Sequence, residues 1–581
     1  MSAPTRPPAR ASSFALGSLA RRRHRRAWTR LAPLTVAATA AFVAGVAVGA
    51  GAEDPRRTAA EAFVRAWARG DYAAMHALIT PAAQRRISIE RFARTYRDAA
   101  KVVTLFALSG RRAEDPGENE VVVPVVLRTR IFGSLPGRLA LPVVEREDGV
   151  GIDWAPHLVH PGVRPGEKLA RTTRMPRRAA IQARDGTPLA EGETRTSALG
   201  TIAADVAGSV GLAPPERAAE LSRRGVPPDT PVGLSGLERE FDAELRGRPG
   251  GQLRAGGRVL ASVAPQRGRA VRTTIDPDVQ RAAVEALAGR FGGVAVIRPG
   301  NGEVLALAGI AYSAPQPPGS VFKIITLAGA LEAGVAKRRG TYPVQTAATL
   351  EGVEIENANG ESCGGSLRAS FAHSCNSVFA PLGAKLGARR LVTAAEAFGF
   401  NEDPGPLGAL PSTIPPAEEI GDDLAVGSTA IGQGRLLATP LHFAGIAAAI
   451  AADGVRARPT LRKGTAPERI RATPAPVART IGSYMRSVVT GGTGRSAAIP
   501  GVRVAGKTGT AELRTTTTDD SDPDAANPIP DDMTDTTAWF AAYAPARRPR
   551  FAVSVMLVGQ GAGGVTAAPA ARTVLEAALG P

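Results

Sequence analysis

Cysteine, lysine and aromatic residues are all scarce in this chain of 581 residues, and each scarcity excludes something. The two cysteines, Cys363 and Cys375, form no zinc-finger spacing, and neither lies near the N-terminal apolar run, so a lipidated cysteine anchor is excluded. Aromatic residues make up 4% of the chain, and no aromatic RNA-binding string occurs. The net charge of +18 therefore does not read as a nucleic-acid surface. Its densest cluster, RRRHRRAWTR at 21–30, stands before an apolar run, where an anionic membrane surface is the natural partner. No G-x-S-x-G elbow is present, and His373 beside Ser374 cannot replace it because adjacent residues rarely face each other. His157 and His160 sit in a proline-flanked segment without further ligands, and Asp520, Asp522 and Asp524 start a calcium-loop pattern that lacks its glycine and closing glutamate. Neither a metal nor a cofactor is expected. Gly559, Gly561 and Gly564 fit G-x-G-x-x-G, yet too little chain follows for a dinucleotide fold, so they read as a loop.

Lysine is the informative shortage. Of 71 basic residues only seven are lysine, the other 64 being arginine, and two of the seven stand in short strings that carry chemistry: SVFK at 320–323 and KTGT at 507–510, with SCN at 374–376 between them. A serine hydroxyl is a weak nucleophile until a base within hydrogen-bond reach takes its proton. Arginine keeps its charge inside a protein, whereas a desolvated lysine beside another cation falls toward neutrality and can act as that base. The stretch SVFKIITLAGALEAG reads as a helix that places Ser320 and Lys323 three apart on one face, with Pro317, Pro318 and Gly319 breaking the chain just before it. Ser320 then lies at the positive helix end, where free N–H groups can receive an oxyanion.

Ser374 and Asn376 are two apart, which suits a turn, not one helix face. That turn can relay a proton through the serine and hold a substrate amide through the asparagine; a plain helix cap is the alternative. KTGT continues the strand-like VRVAG, so that Lys507, Thr508 and Thr510 form a carboxylate clamp and Gly509 admits a ligand close to the backbone; an ordinary hairpin edge is the alternative.

The ordered set S-x-x-K, S-x-N, K-T-G resembles the penicillin-recognising serine acyltransferases, and SCN with KTGTAE looks most like the class B penicillin-binding proteins. TIDPDVQRAAVEAL at 274–287, IGQGRLLATPLHFA at 431–444 and VVTGGTGRSA at 488–497 are similar to stretches flanking the site in that family. The resemblance implies that Ser320 is acylated by a D-alanyl-D-alanine stem peptide, with Lys323 as base, Ser374 relaying the proton beside Lys507, Asn376 holding the peptide, and Thr508 and Thr510 binding its carboxylate. The Ser320 and Thr510 amides would form the oxyanion hole. An amine from a neighbouring stem peptide would then complete a crosslink in peptidoglycan, and β-lactams would trap the same serine. A D,D-carboxypeptidase or β-lactamase-type hydrolase and a non-catalytic cell-wall scaffold are the alternatives. Length, SCN in place of SDN, and the lack of an identifiable deacylating glutamate argue against the β-lactamase. Three intact strings argue against the scaffold.

The first 30 residues hold eight arginines and no acid, and 31–52 is a charge-free run long enough to cross a bilayer. The expectation is a single-pass anchor in the bacterial cell membrane, N-terminus cytoplasmic and everything after Glu53 outside. A cleavable signal peptide ending at Ala50-Gly51-Ala52 is the rival. In an oxidising exterior the two cysteines suit a bridge pinning the Ser374 loop; two buried thiols are the alternative.

The expected architecture is an α+β multidomain chain: a basic tail at 1–30, the anchor at 31–52, an NTF2-like α+β domain at 53–162, a pedestal or dimerisation-type domain at 163–270 and a transpeptidase domain at 271–581. The first of the folded parts opens on amphipathic AAEAFVRAWARGDYAAMHALI and turns to strand-like VVVPVVLRTRIF. In the pedestal the family's Arg-Gly pair is Arg178-Ala179 here. The last domain is expected as an antiparallel sheet covered by helices, with VAVIRPGNGEVLALAG turning at Asn301-Gly302. The Thr- and Asp-rich stretch between Glu512 and Trp539 reads as a surface loop. No glycosyltransferase region is recognisable, so the resemblance also implies a separate membrane glycan polymerase as partner.

Overall fold

The computed structural model describes residues 54–146, 149–512 and 535–580. The basic tail, the apolar run at 31–52 with its Ala-Gly-Ala site, the calcium-like aspartates and most of the stretch between Glu512 and Trp539 lie outside the described residues. Among the described residues no helix is long and apolar enough to cross a membrane. The chain divides into two compact units, one of residues 54–174, 223–225 and 250–264, the other of 175–222, 226–249 and 265–580.

In the first unit, the expected amphipathic pattern forms two helices, Pro55–Arg69 and Tyr72–Ala77. Asp54 caps the first by accepting from the Arg56 amide at 2.8 Å, and Gly70, at φ 68°, ends it because a left-handed residue cannot continue the turn. A four-stranded antiparallel sheet follows in chain order, Leu105–Gly110, Glu120–Thr129, Gly133–Arg146 and Gly149–Ile152. In the second strand Val121, Val123, Val125 and Leu127 alternate inward, the period-two pattern of a sheet with one buried face. That face packs on Phe63, Trp67, Phe92, Tyr96 and Trp154, each buried ring contributing about 2–3 kcal/mol from lost apolar contact with water. The Trp154 indole donates to the Tyr96 hydroxyl at 3.1 Å, satisfying a polar atom at the centre of the cluster.

The stretch 163–270, expected as one pedestal domain, contributes to both units. Leu169–Arg174, Gly250–Ala255 and Arg258–Val263 form a three-stranded sheet in the first unit, whereas most of the residues between them belong to the second. There Arg178 bridges the buried carboxylates of Glu238 at 2.7 Å and Asp242 at 2.8 Å. Pairing between strands far apart in sequence decides this division, and local pattern does not carry it.

The second unit is built on five antiparallel strands in the order Val304–Gly309, Gly292–Ile297, Phe551–Leu557, Thr536–Ala544, Ala505–Glu512. The first two form the hairpin expected around Asn301-Gly302. Gly302 sits at φ 67°, and the Asn301 side chain accepts from the Glu303 amide at 3.2 Å. The three middle strands are buried almost throughout because helices cover both faces. Pro277–Leu287 and Ala567–Leu579 pack on one face with Val294, Phe540 and Val555, while Pro440–Ala451 and Ala475–Gly491 pack on the other with Trp539 and Met556. The KTGT strand, Ala505–Glu512, is left as an edge.

Replacing Tyr96 by Phe leaves the buried Trp154 N–H without its acceptor. The expected loss is about 1–3 kcal/mol, read as a lower midpoint of urea unfolding; an unchanged midpoint contradicts the role given to this hydrogen bond.

Candidate active site

The nucleophile turn is shaped by what precedes it. Pro317 and Pro318 have no N–H to donate, and Gly319 is left-handed at φ 54°. A Cβ on Gly319 would lie 2.3 Å from the Thr510 carbonyl oxygen, so only glycine allows this backbone to sit against the KTGT strand. Its N–H donates to the Gly432 carbonyl at 2.9 Å, and Gly432 is equally bare toward Gly319. The helix expected from Ser320 onward begins later. Gly319–Phe322 is a 3-10 turn, and the α-helix proper is Lys323–Glu332. The tighter pitch serves the same purpose, since residues i and i+3 eclipse in a 3-10 turn. Ser320 and Lys323 therefore share a face, with Ser320 half-buried and Lys323 fully buried.

Ser320 makes no hydrogen bond to Lys323. The Lys323 Nζ donates to the Ser374 carbonyl at 2.6 Å and the Asn376 Oδ1 at 2.6 Å, and lies 3.3 Å from the Ser374 Oγ. Ser374 stands at φ 62° between the helices Leu367–Ala372 and Asn376–Leu386, the turn expected from the two-residue spacing. Cys375 caps the second helix and is bridged to Cys363 with Cα atoms 5.7 Å apart, so the cysteine pair does pin this loop. The Asn376 amide nitrogen donates to the Glu356 carbonyl at 2.8 Å, leaving its second hydrogen for a ligand.

From the opposite side the Lys507 Nζ donates to the Ser374 Oγ at 2.8 Å and to the Thr508 carbonyl at 2.9 Å. One serine hydroxyl thus joins two fully buried amines. Among the described residues every hydrogen-bond acceptor of these amines is uncharged, and each amine faces a phenylalanine ring at 5.7 Å, Phe379 for Lys323 and Phe371 for Lys507. Burial, and then the neighbouring charge of Lys507, hold Lys323 well below the ordinary lysine range. Burial brings Lys507 down to about 7.

The KTGT strand presents its residues alternately. The Thr508 hydroxyl meets the Thr493 hydroxyl at 2.5 Å, and the Thr510 hydroxyl accepts from the Gly563 amide at 3.3 Å. Gly509 differs from expectation. A side chain there would meet the Pro318 carbonyl at 2.8 Å, so it makes room for the nucleophile turn and not for a ligand. The loop at 559–564 is indeed a loop, and it backs this strand: a Cβ on Gly563 would lie 2.3 Å from the Gly509 carbonyl. His373 is exposed.

Ser320, Lys323, Ser374, Asn376, Lys507, Thr508, Gly509 and Thr510 are thus drawn into one neighbourhood. Reading the sequence alone misses the parts played by Thr493, Trp539 and Gly563 and gives Gly319 only as a break in the chain. Thr493 and Gly432 fall inside stretches whose resemblance marks them as neighbours of the site, but nothing in one dimension tells which member touches which.

A half-buried serine on a tight turn, with buried neutralisable amines beside it and an open sheet edge opposite, is the equipment of a serine acyltransferase. Three family profiles match in order: an NTF2-like N-terminal transpeptidase domain at residues 56–167, a penicillin-binding protein dimerisation domain at 179–273 and a penicillin-binding protein transpeptidase domain at 292–576. The chain is 34% identical over 411 residues to the peptidoglycan D,D-transpeptidase PbpA of Mycolicibacterium smegmatis, spanning 59% of this chain and 79% of that protein. It is 35% identical over 412 residues to PbpA of Mycobacterium tuberculosis, with the same shares. Its fold is similar to the crystal structure of PBPA from Mycobacterium tuberculosis, with a TM-score of 0.56 at 29% identity over 70% of this chain and all of that one. The penicillin G acyl-enzyme complex of that protein gives 0.55 at the same identity and coverage. The chain belongs to the penicillin-binding protein transpeptidase family.

Gly319→Ala is expected to lower acylation by a penicillin about 100-fold or more while the fold survives, because the added methyl displaces Ser320 from the KTGT strand. Labelling rate and circular dichroism together check this, and wild-type labelling would contradict it.

Proposed function

We propose that the chain is a membrane-anchored serine D,D-transpeptidase that crosslinks peptidoglycan stem peptides through an acyl-enzyme on Ser320. The observation that carries this reading is the Lys323–Ser374–Lys507 chain of hydrogen bonds, two buried amines sharing one hydroxyl with no carboxylate partner among the described residues. An amine so placed gives up its proton readily and can take one from Ser320. The Ser320 oxygen attacks the carbonyl between the two D-alanines, its proton passes to Lys323, and the oxyanion is met by the amides of Ser320 and Thr510. When the C–N bond breaks, the leaving amine receives a proton through the Ser374 hydroxyl, which Lys507 replenishes. The acceptor amine then attacks the ester and loses its proton through the Ser374 hydroxyl to Lys507, while Lys323 returns its proton to the departing Ser320 oxygen.

The substrate's extended backbone fits the free edge of Ala505–Glu512 by strand addition, with the terminal carboxylate at Thr508 and Thr510 and the penultimate amide at Asn376. A β-lactam carries the same carbonyl and carboxylate, and its acyl group remains on Ser320. Anchoring through 31–52 with the basic tail on the cytoplasmic, anionic face is supported by the charge asymmetry around that run. We place a separate membrane glycan polymerase beside it as the source of the strands to be crosslinked.

Incubation with a fluorescent penicillin, followed by mass spectrometry of the modified peptide, tests the reading. One adduct on the Ser320 peptide is expected, lost in Ser320→Ala, and label elsewhere or rapid turnover of the drug would overturn the assignment. Lys323→Arg should slow acylation on the order of 10²–10⁴-fold, since a guanidinium stays protonated. Because both lysines sit below their unfolded values, lowering the pH adds protons to the pair and removes the base. Lys507 takes up its proton near 7 and in doing so holds Lys323 neutral, so acylation is expected to persist through about 7 and to fall on further acidification as Lys323 itself is protonated; a rate that rises on acidification would contradict this sign.

A further inference from the structure

We propose that Trp539 is a positioning residue for the acylation step, its indole N–H fixing the turn that carries Ser320 against the KTGT strand. This rests on the reading of Ser320 as the acylated residue. Trp539 stands on the strand Thr536–Ala544, directly opposite Gly509, and its ring is wholly buried against Phe443 at 5.6 Å between ring centres. A buried indole must place its one donor. The acceptor is the carbonyl of Pro317, at 2.8 Å, three residues before the nucleophile.

The segment leading to Ser320 is poor in other attachments from that side. Pro317 and Pro318 offer no N–H, so their carbonyls are the available handles. Upstream, Gln316 and Ala438 exchange backbone hydrogen bonds at 2.9 and 2.8 Å, and downstream Gly319 is held by Gly432. Between these two points the indole supplies a side-chain hold on the segment. The same indole residue lies on Gly509, whose absent side chain would otherwise meet both the Pro318 carbonyl at 2.8 Å and the Trp539 Cβ at 3.0 Å. The Trp539 N–H thus acts together with the bare contacts of Gly319 on Thr510 and of Gly509 on Pro318 in registering the nucleophile turn on the strand carrying Lys507 and Thr510. Loss of that N–H frees the Pro317 carbonyl and lets the turn carrying Ser320 shift relative to the KTGT strand and the Thr510 amide, while the carboxylate clamp stays in place. The rate constant for acylation should suffer and the preceding binding step should not.

The test replaces Trp539 in the full chain by Phe and by β-(3-benzothienyl)alanine, an isostere in which sulfur takes the place of N–H, and follows acylation by a fluorescent penicillin over a concentration series. The saturating rate constant is expected to fall about 10- to 100-fold in both variants. The half-saturating concentration should change less than about two-fold, and the final stoichiometry should stay that of wild type. A role confined to packing would instead leave the isostere at the wild-type rate, and would lower the Phe variant's end-point stoichiometry with the rate of the surviving molecules unchanged. Either result overturns the assignment, as does a loss carried by the half-saturating concentration. Should wild type itself form no adduct on Ser320, the proposed function fails and this inference falls with it; wild-type acylation with an equally fast isostere defeats this inference alone.

Discussion

Two amines have been taken out of water within reach of a single serine hydroxyl, and much of the catalytic unit can be understood as what is needed to keep them there. Burying an ammonium without a counter-ion costs several kcal/mol even after relaxation, so the site offers carbonyls, an amide oxygen, a hydroxyl and two aromatic faces in place of a carboxylate. A carboxylate would have stabilised both charges and left neither lysine able to accept a proton. The pair behaves as one titrating system, in which a proton on Lys507 disfavours a proton on Lys323. Ser374 pays part of the cost as backbone strain, since a left-handed serine is disfavoured by roughly 1 kcal/mol or more. Helices on either side and the Cys363–Cys375 bridge hold it in that conformation.

A second requirement is close approach of backbones. Gly319, Gly432, Gly509 and Gly563 each lie where a methyl group would collide with a neighbouring carbonyl, and together they let the nucleophile turn, the KTGT strand and the loop behind it share one small volume. The hydrophobic sheet beneath supplies rigidity for these contacts. Its middle strands are buried on both faces, so small shifts are resisted by close-packed side chains. Among the described residues no further strand pairs with the edge facing the site.

How much of this is legible without coordinates differs from residue to residue. SVFK and KTGT stand out because they hold two of only seven lysines, SCN because it stands in order between them, and the hairpin because Asn301-Gly302 lies in the short stretch between two apolar runs. The pattern at Ser320 suits plain helix as well as the 3-10 turn found there, and the contact of Gly319 on Thr510 spans 191 positions, beyond any local pattern. A glycine in KTGT suits close approach of a ligand, whereas the space of the Gly509 side chain is taken by the Pro318 carbonyl, which no local pattern reveals. The stretch 163–270 looked continuous because strand partners cannot be seen until Leu169–Arg174 is laid beside Gly250–Ala255.

The residue types and their order were enough to determine the kind of chemistry: a serine three positions from a rare lysine, a serine and asparagine in a turn, and a lysine with two threonines on a strand, read against the known behaviour of desolvated amines. Spacing also set the helices, hairpins and caps, because those depend on neighbours within a few positions. Tertiary structure decided everything that depends on distance across the chain: which hydroxyl bridges the two lysines, which glycines face one another, what the indole of Trp539 holds and which strands belong to which unit. The reason is that burial and close contact are properties of a folded volume, and a lysine's proton affinity is set by what surrounds it in that volume.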